Sequence, residues 1–173
     1  MRPMQLLEIK KYPDRILRKR CKPIERVTEK EVDLFDKMLF TMRHFCGVGL
    51  AAPQIGISQE LIIADIGEGA IKLANPKILK VKGTDKMEEG CLSIPDIVVE
   101  IKRPYEVIVE GLNEKGELIE LKAKELLARV LQHEIDHLNG RLIIDHMNLL
   151  EKFRLRIHKR TERHSQDASK NYF

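Results

Sequence analysis

The sequence contains no tryptophan, and only three tyrosines and five phenylalanines. Its core must therefore be built mainly from Ile, Leu, Val and Met side chains. No apolar run approaches the roughly 20 residues that cross a bilayer, and residues 1–11 hold no signal-peptide apolar segment. These absences argue against membrane association and predict a cytoplasmic protein.

The three cysteines, Cys21, Cys46 and Cys91, form an odd and widely spaced set. They match neither a disulfide framework nor a Cys-x-x-Cys zinc motif. In a reducing compartment, each is expected to be either a small buried residue or a residue with a chemical role.

Charge is abundant and unevenly placed. Charged residues make up 34% of the 173 residues, and the formal net charge is +4. Residues 151–173 hold seven Lys or Arg against three Asp or Glu, so this segment alone carries the whole excess. Such a segment indicates an acidic partner such as nucleic acid, although a solvated helix face has the same composition. The length fits one domain over residues 1–173, with a basic C-terminal helix from about Asn148.

Two segments show the spacing of α-helices. Thr28 and Glu31 form a capping-box signature, and the apolar residues that follow keep helical spacing as far as Phe45. A second helix is predicted over 123–138, where Asn139 and the following glycine stop it.

Shorter segments have the composition of β-strands. They are residues 61–66, 97–101, 105–110 and 117–121, and the turn at 113–116 joins the last two as a hairpin. The apolar run 142–144 is a further candidate strand. Because hairpin signals outnumber crossover signals, the predicted fold class is α+β, with mainly antiparallel strands around a buried central helix.

The strongest chemical signal is the pattern His133-Glu134-Ile135-Asp136-His137 on the second predicted helix. Residues four apart lie on one helix face, so both imidazoles can bind one ion. Glu134 lies about 100° around the helix from His133, close enough to reach a water on that ion. A lone histidine here would most often be a satisfied core residue, but the pair with its glutamate favours a metal site.

Two histidines do not complete a catalytic site of this kind, which uses three protein ligands. One protease class supplies a third histidine six residues after the second, but Ile143 stands there. Glu151 and Glu162 could supply a carboxylate, although no motif surrounds either. Cys91, within Glu89-Gly90-Cys91-Leu92-Ser93, is the remaining candidate, because a thiolate binds Zn, Fe or Co strongly.

The segment from Gly47 to Gln54 is small and rich in glycine. Its glycines permit close approach of another backbone, and Gly49-Leu50 could offer an edge to an extended peptide. Gln54 supplies an uncharged amide donor that suits a developing oxyanion. By spacing alone, a glycine-rich turn with a solvent-facing glutamine is the favoured interpretation.

Taken together, the segments 47–54, 89–93 and 133–137 resemble the peptide deformylase family in its bacterial form. That family has a glycine-rich motif ending in Gln, then Glu-Gly-Cys-Leu-Ser, then His-Glu-x-Asp-His, and all three are intact and in order here. The stretch 12–18 is also similar to the family's N-terminal stretch. The resemblance covers nearly the whole chain and is weakest after Phe153.

The resemblance implies that Cys91, His133 and His137 bind one divalent metal ion, with Fe(II) expected and Ni, Co or Zn able to replace it. It implies removal of the formyl group from the formylmethionine of nascent polypeptides, with release of formate. Glu134 would act as the general acid and base, and the Gln54 side chain and the Leu92 N–H would stabilise the oxyanion.

The resemblance also implies substrate contacts and a ribosomal partner. The implied substrate-binding residues are Gly47, Val48, Gly49, Leu50, Glu89 and Val130. Many members carry Arg at the position of Val98 and Phe at that of Ile143, so peptide preference and pocket shape are expected to differ. The terminal helix is similar to the one with which bacterial members dock beside the nascent-chain exit.

Two alternatives remain at this stage. A His-Glu-x-x-His metalloprotease would share the hydrolytic groups but should use His or Glu as its third ligand. An inactive, metal-stabilised relative that binds the ribosome would not need Glu134, and its structural site would usually have four protein ligands.

Overall fold

The computed structural model describes residues 5–150 and 152, which form two α-helices and seven β-strands. The helices are α1 (Glu29–His44) and α2 (Glu125–Leu138). The strands are β1 (Gly49–Ala51), β2 (Leu61–Ala64), β3 (Ile71–Lys82), β4 (Asp85–Cys91), β5 (Ile94–Arg103), β6 (Glu106–Leu112) and β7 (Leu118–Lys124). Short 3-10 turns lie at Arg15–Arg18, Ala52–Ile55 and Ile143–Asp145.

The first helix begins where its capping box predicts. The Thr28 N–H donates to Glu31 Oε2 at 2.9 Å, and the Thr28 hydroxyl accepts from the Lys30 N–H at 3.3 Å. These bonds satisfy donors that the first turn of a helix leaves unpaired. Phe35 and Met42 are fully buried, so the apolar side of α1 packs on β1 and β2.

All strand pairs are antiparallel, which confirms the predicted strand arrangement. Five strands form one sheet in the order β1-β2-β3-β6-β7, and β4 and β5 form a separate two-stranded hairpin. The predicted turn at 113–116 joins β6 and β7, with the Gly116 N–H donating to the Asn113 carbonyl at 2.9 Å. β1, which carries Gly49, lies at an edge of the larger sheet.

The prediction is wrong at residues 142–144 and at the start of α2. Residues 143–145 form a 3-10 turn instead of a strand, because the Asp145 carboxylate accepts from the Leu142 N–H at 2.8 Å and closes the turn. Helix α2 begins at Glu125 instead of Ala123, because Ala123 pairs with Val107 in the sheet.

Strands β1, β3 and β4 were absent from the prediction. Asn75-Pro76 lies inside β3, where the register against β6 shifts, and most of the strand's second half is exposed. The basic helix predicted from about Asn148 lies outside the described residues apart from 148–150 and 152. No helix in the described part of the chain is long and apolar enough to cross a membrane.

One face of α2 packs on the five-stranded sheet. Ala128, Leu131, Ile135 and Leu138 form this apolar face, and they share one buried cluster with sheet residues such as Ile62. Burial of an aliphatic side chain contributes about 1.5–3 kcal/mol. This packing fixes the helix and leaves its opposite side free to face the hairpin.

Candidate metal centre and active-site cleft

The side of α2 opposite the apolar face carries polar groups at helical spacing. This polar face consists of Arg129, Gln132, His133, Asp136 and His137. Residues at such spacing share one side of a helix. Each of these side chains bonds to a residue of the β4–β5 hairpin or to Pro104 directly after it.

The three predicted metal ligands meet where the hairpin contacts this polar face. Cys91 Sγ lies 3.2 Å from His137 Nε2, which lies 3.2 Å from His133 Nε2. Within the described residues, one donor atom from each of the three lies within 4.8 Å of the others. One thiolate and two imidazoles suit Zn, Fe, Co or Ni, and three protein ligands leave a position for water. The residues present therefore fit a catalytic metal ion.

The two imidazoles differ strongly in their acidity. Burial opposes the charged form of His133, but hydrogen bonds to Cys91 and Glu89 outweigh it and raise its pKa to about 10. Burial and the neighbouring His133 charge hold the pKa of His137 well below its usual value. Because a metal binds neutral imidazole, ion binding at this site must release the His133 proton.

Glu134 lies beside the three ligands and is almost fully buried, with 3% exposure. Burial raises its pKa to about 7 against the opposing charge of His133. Its Oε2 atom has no hydrogen-bond partner in the described part of the protein. An unpaired buried carboxylate oxygen is costly, and it is suited to accept a proton from a water.

Gly49 makes room for this carboxylate. A Cβ atom at position 49 would lie 2.2 Å from Glu134 Oε1 and 2.8 Å from Val130 Cγ1. The glycine is therefore required for the close approach of β1 to α2. The sequence predicted that the glycine backbone here would approach another group closely. Within the protein, that group is the Glu134 side chain.

Gln54 is buried, and the hydrogen bonds of its amide fix its orientation. Its Oε1 atom accepts from the Ala51 N–H at 2.8 Å. The amide nitrogen therefore points the other way, 3.5 Å from Cys91 Sγ and 3.3 Å from Ser93 Oγ. This geometry excludes a solvent-facing glutamine and aims its N–H groups at the ligand cluster.

Glu89 supports the first histidine. Its Oε2 atom lies 2.9 Å from His133 Nδ1, and Arg103 and Arg129 donate to Oε1 at 2.6 and 2.7 Å. A carboxylate on the outer nitrogen of a metal-binding histidine fixes the ring and raises its basicity. Arg103 also donates to Asp136 Oδ2 at 2.7 Å, which links the hairpin to α2 a second time.

A cleft of about 390 Å³ opens onto this cluster. The predicted residues that line it are Gly47, Val48, Gly49, Gln54, Glu89, Cys91, Leu92, Val130, His133 and Glu134. Leu50 does not line the cleft, because its side chain is fully buried in the core. Its backbone remains part of the edge strand β1.

A family model described as polypeptide deformylase matches residues 6–153. The chain belongs to this family. The peptide deformylase of Clostridium botulinum is 51% identical over 142 residues, which are 82% of this chain and 97% of that protein. The crystal structure of peptide deformylase from Thermotoga maritima matches with a TM-score of 0.81 and 45% identity, covering 83% of this chain and 99% of that one.

A second solved structure is a peptide deformylase from Acinetobacter baumannii with Met-Ala-Ser bound. It matches with a TM-score of 0.79 and 33% identity, covering 83% of this chain and 99% of that chain. Membership of the deformylase family confirms the resemblance found in the three motifs and shows that the chain is an enzyme of this class. The family is metal-dependent, in agreement with the Cys91, His133 and His137 cluster.

Three residues of this deformylase site were missed from the sequence: Arg103, Arg129 and Ser93. Arg129 stands four residues before His133, so the helical spacing of the polar face could have identified it. Arg103 follows the buried Val99 and Ile101 at every second position of β5. Residues two apart on a strand point to the same side, so this spacing places Arg103 on the inner face. Ser93 carries no comparable signal apart from its place next to the Cys91 motif.

Proposed function

We propose that this deformylase-family enzyme hydrolyses the formyl amide of N-terminal formylmethionine in nascent polypeptides and releases formate. The observation that carries the proposal is the buried Glu134 carboxylate, whose Oε2 atom has no partner among the described residues, beside a Cys-His-His cluster on the wall of a cleft. A structural metal site would need no general base at this position.

Cys91, His133 and His137 would hold the ion, with Fe(II) expected from the family and Ni, Co or Zn as substitutes. When bound, a divalent ion lowers the pKa of a water and polarises a carbonyl oxygen. Glu134 accepts a proton from the attacking water while the water oxygen bonds to the formyl carbon. The carbon–nitrogen bond then breaks, and Glu134 returns the proton to the departing methionine amine.

Gln54 and Leu92 are proposed to stabilise the negative oxygen that develops on the formyl group. The amide of Gln54 is held in place by the Ala51 N–H, so its own N–H groups need no reorientation during the reaction. Leu92 follows Cys91 and lines the cleft, which favours its backbone N–H as a second donor. Donors fixed in advance in this way contribute most when water is excluded.

The substrate chain is proposed to lie along the segment Gly47–Leu50, at the edge strand β1. An extended peptide can add to such an edge through backbone hydrogen bonds. Val130 lines the cleft below this edge and would contact the methionine side chain. The Acinetobacter relative has Met-Ala-Ser bound, which supports a short peptide as the ligand. Glu89 lines the same cleft, but its carboxylate is bound by the two arginines and His133, so its proposed part is to support His133.

The proposed place of action is the cytoplasm, at the ribosome, because nascent chains emerge there. The net charge of +4 on residues 151–173 would favour contact with ribosomal RNA. Truncation after Phe153 should weaken co-sedimentation with ribosomes at low salt. Unchanged co-sedimentation would exclude docking through this segment.

The reaction is tested by measuring formate release from formyl-Met-Ala-Ser with anaerobically prepared, Ni(II)-loaded enzyme. Glu134→Gln should lower kcat by about 10²–10⁴-fold while the bound nickel is retained, because it removes the acid–base group only. The matched control is Glu88→Gln, an exposed carboxylate that also lines the cleft, and it should keep kcat within a factor of about three, as expected for a surface change.

Absence of formate release from folded, nickel-loaded wild type would contradict the proposal. Cleavage of internal peptide bonds would then favour the metalloprotease alternative. Ribosome binding without hydrolysis would favour the inactive relative.

A further inference from the structure

Arg129 is a buried cation on the polar face of α2 that the proposed reaction does not use. Its side chain lies one helical turn before His133 and the residue is 5% exposed. Nη1 donates to Glu89 Oε1 at 2.7 Å and to the Ile101 carbonyl at 2.9 Å, and Nη2 donates to the Asp85 carbonyl at 3.1 Å. One guanidinium therefore binds both strands of the β4–β5 hairpin.

The hairpin depends on such side-chain contacts for its position. Its two strands pair with each other and with no strand of the five-stranded sheet. Cys91 ends β4, whereas His133 and His137 lie on α2. The distance between the thiol and the imidazoles is consequently set by how the hairpin docks on the helix.

Glu89 connects the guanidinium to a metal ligand. Arg129 binds Oε1 of this carboxylate, and the other oxygen lies 2.9 Å from His133 Nδ1. The bond at Nδ1 fixes the imidazole ring so that Nε2 faces Cys91 and His137. A guanidinium can serve a carboxylate and two carbonyls at once because its donors form a rigid planar fork, which a lysine ammonium lacks.

We propose that Arg129 is a positioning residue for the metal-binding triad. It docks the Cys91-bearing hairpin on α2 and, through Glu89, orients His133. This role rests on the proposed metal site, but it concerns ion retention and is independent of which bond the enzyme hydrolyses. Arg129 also lines the cleft, but the proposed role acts through Glu89 and the hairpin carbonyls and requires no contact with the substrate.

The test uses the full-length chain loaded with Co(II), whose thiolate charge-transfer band reports the Cys91–cobalt bond. Arg129→Met removes the guanidinium and keeps an apolar stem. It should speed cobalt release to EDTA by about 10–100-fold, the usual effect of losing a group that orients a metal ligand. It should also weaken or shift the thiolate band, which a loss of fold stability alone would not do.

Gln132→Met is the matched control. Gln132 is an equally buried neighbour on the polar face, and its amide donates to the Pro104 carbonyl at 3.0 Å and the Ala128 carbonyl at 2.8 Å. Its loss removes a bond from the helix to the residue directly after the hairpin without touching Glu89, so cobalt release should stay within about threefold of wild type. Arg129→Lys keeps the charge but cannot reach three acceptors. It should therefore undo less than half of the increase in the logarithm of the cobalt release rate that Arg129→Met causes.

All rates are measured well below the lowest unfolding temperature in the set, and Arg129→Gln replaces Arg129→Met if the latter does not fold. Unchanged release in the Arg129 variant, equal acceleration in Gln132→Met, or full recovery with lysine would each overturn the proposal. Because cobalt retention is the readout, failure of the Arg129 proposal would leave the result of the formate assay unaffected. Failure of formate release would likewise leave the cobalt result standing.

Discussion

The apolar face of α2 meets the five-stranded sheet through Leu131 and its neighbours, whereas the polar face meets the β4–β5 hairpin through ion pairs and hydrogen bonds. Apolar contacts are non-directional and insensitive to pH. Buried ion pairs are directional, and each costs several kcal/mol of desolvation that only good geometry offsets. The metal ligands lie on the polar side, where position is controlled most tightly.

The hairpin also packs into an apolar cluster of its own. Ile94, Val99 and Ile101 pack with Leu17 and with residues 142–144 in a separate cluster. Cys91 packs against this cluster, so apolar contacts also help to hold the end of the hairpin that carries the thiol. Arg103 and Arg129 add the directional bonds that orient the hairpin on α2.

Arg103→Met should produce the largest difference in hydrogen-exchange protection between the hairpin and the five-stranded sheet. Arg103 binds both oxygens of Glu89 and one of Asp136, and breaking a buried pair of this kind costs about 3–5 kcal/mol. Hydrogen exchange should show the hairpin losing protection before the five-stranded sheet, because the lost bonds either lie within the hairpin or join it to α2.

The control for this variant is Leu131→Ala on the apolar face. Leu131 is fully buried, so the cavity should cost about 2–5 kcal/mol, a loss similar to that of Arg103→Met. Here protection should fall in the sheet and the hairpin together. If both variants lowered protection in both regions alike, the division between the two sides would be refuted.

Acid should affect the polar side first. Burial raises the pKa of Glu89, but hydrogen bonds from His133 and Arg103 outweigh burial and hold it at about 2, below its ordinary value of 4.5. A depressed pKa contributes stability above pH 4.5 that is lost as the pH falls towards 2, on the order of 3 kcal/mol in total.

In chelator-treated protein, hydrogen exchange between pH 5 and pH 2.5 should therefore show the hairpin opening first. Glu89→Gln removes the titrating group and should flatten this dependence. A sheet that opened at higher pH than the hairpin would reverse the proposed order.

The smallest expected effect is a gain in stability at the start of α2. Glu125 adopts φ 54°, a left-handed conformation that suits glycine. Glu125→Gly should raise the free energy of unfolding by about 1 kcal/mol, since relief of this strain exceeds the loss of an exposed bond from Tyr105. The gain in the free energy of unfolding is measured by urea denaturation, and it should stabilise the contacts on both sides of α2 equally.

Glu120→Gly is the control for that substitution, because Glu120 is an exposed strand residue outside the positive-φ set. Glycine there should lower stability by about 0.5–1 kcal/mol. Destabilisation by both glycines would mean that position 125 is not strained.

The sequence was sufficient to single out the Cys91, His133 and His137 cluster and the neighbouring Glu134, because local helix geometry and motif order identify them. His133 and His137 lie on one face of any helix, and Cys91 was the remaining candidate for the third ligand. The ion pairs around Glu89 could not be derived in this way. Glu89, Arg103 and Arg129 are far apart in sequence, and their contacts depend on how the hairpin docks.

Local interactions explain why two elements were not predicted from the sequence. Asn75 adopts φ 52° inside β3, and its side chain bonds to both backbone groups of Ile24 at 2.9 and 2.8 Å. With Pro76 next to it, the segment has the composition of a turn. Leu142–Ile144 has the apolar content of a strand, but the Asp145 carboxylate bends it into a turn beneath the hairpin.

The most direct test of the metal site is X-ray absorption spectroscopy on the zinc-loaded enzyme, because the two sides of α2 must meet at one ion. One sulfur at about 2.3 Å and two imidazole nitrogens at about 2.0–2.1 Å are expected. The sulfur should be absent in Cys91→Ser. A wild-type spectrum without sulfur would contradict the assignment of Cys91 and separate the hairpin from the metal centre.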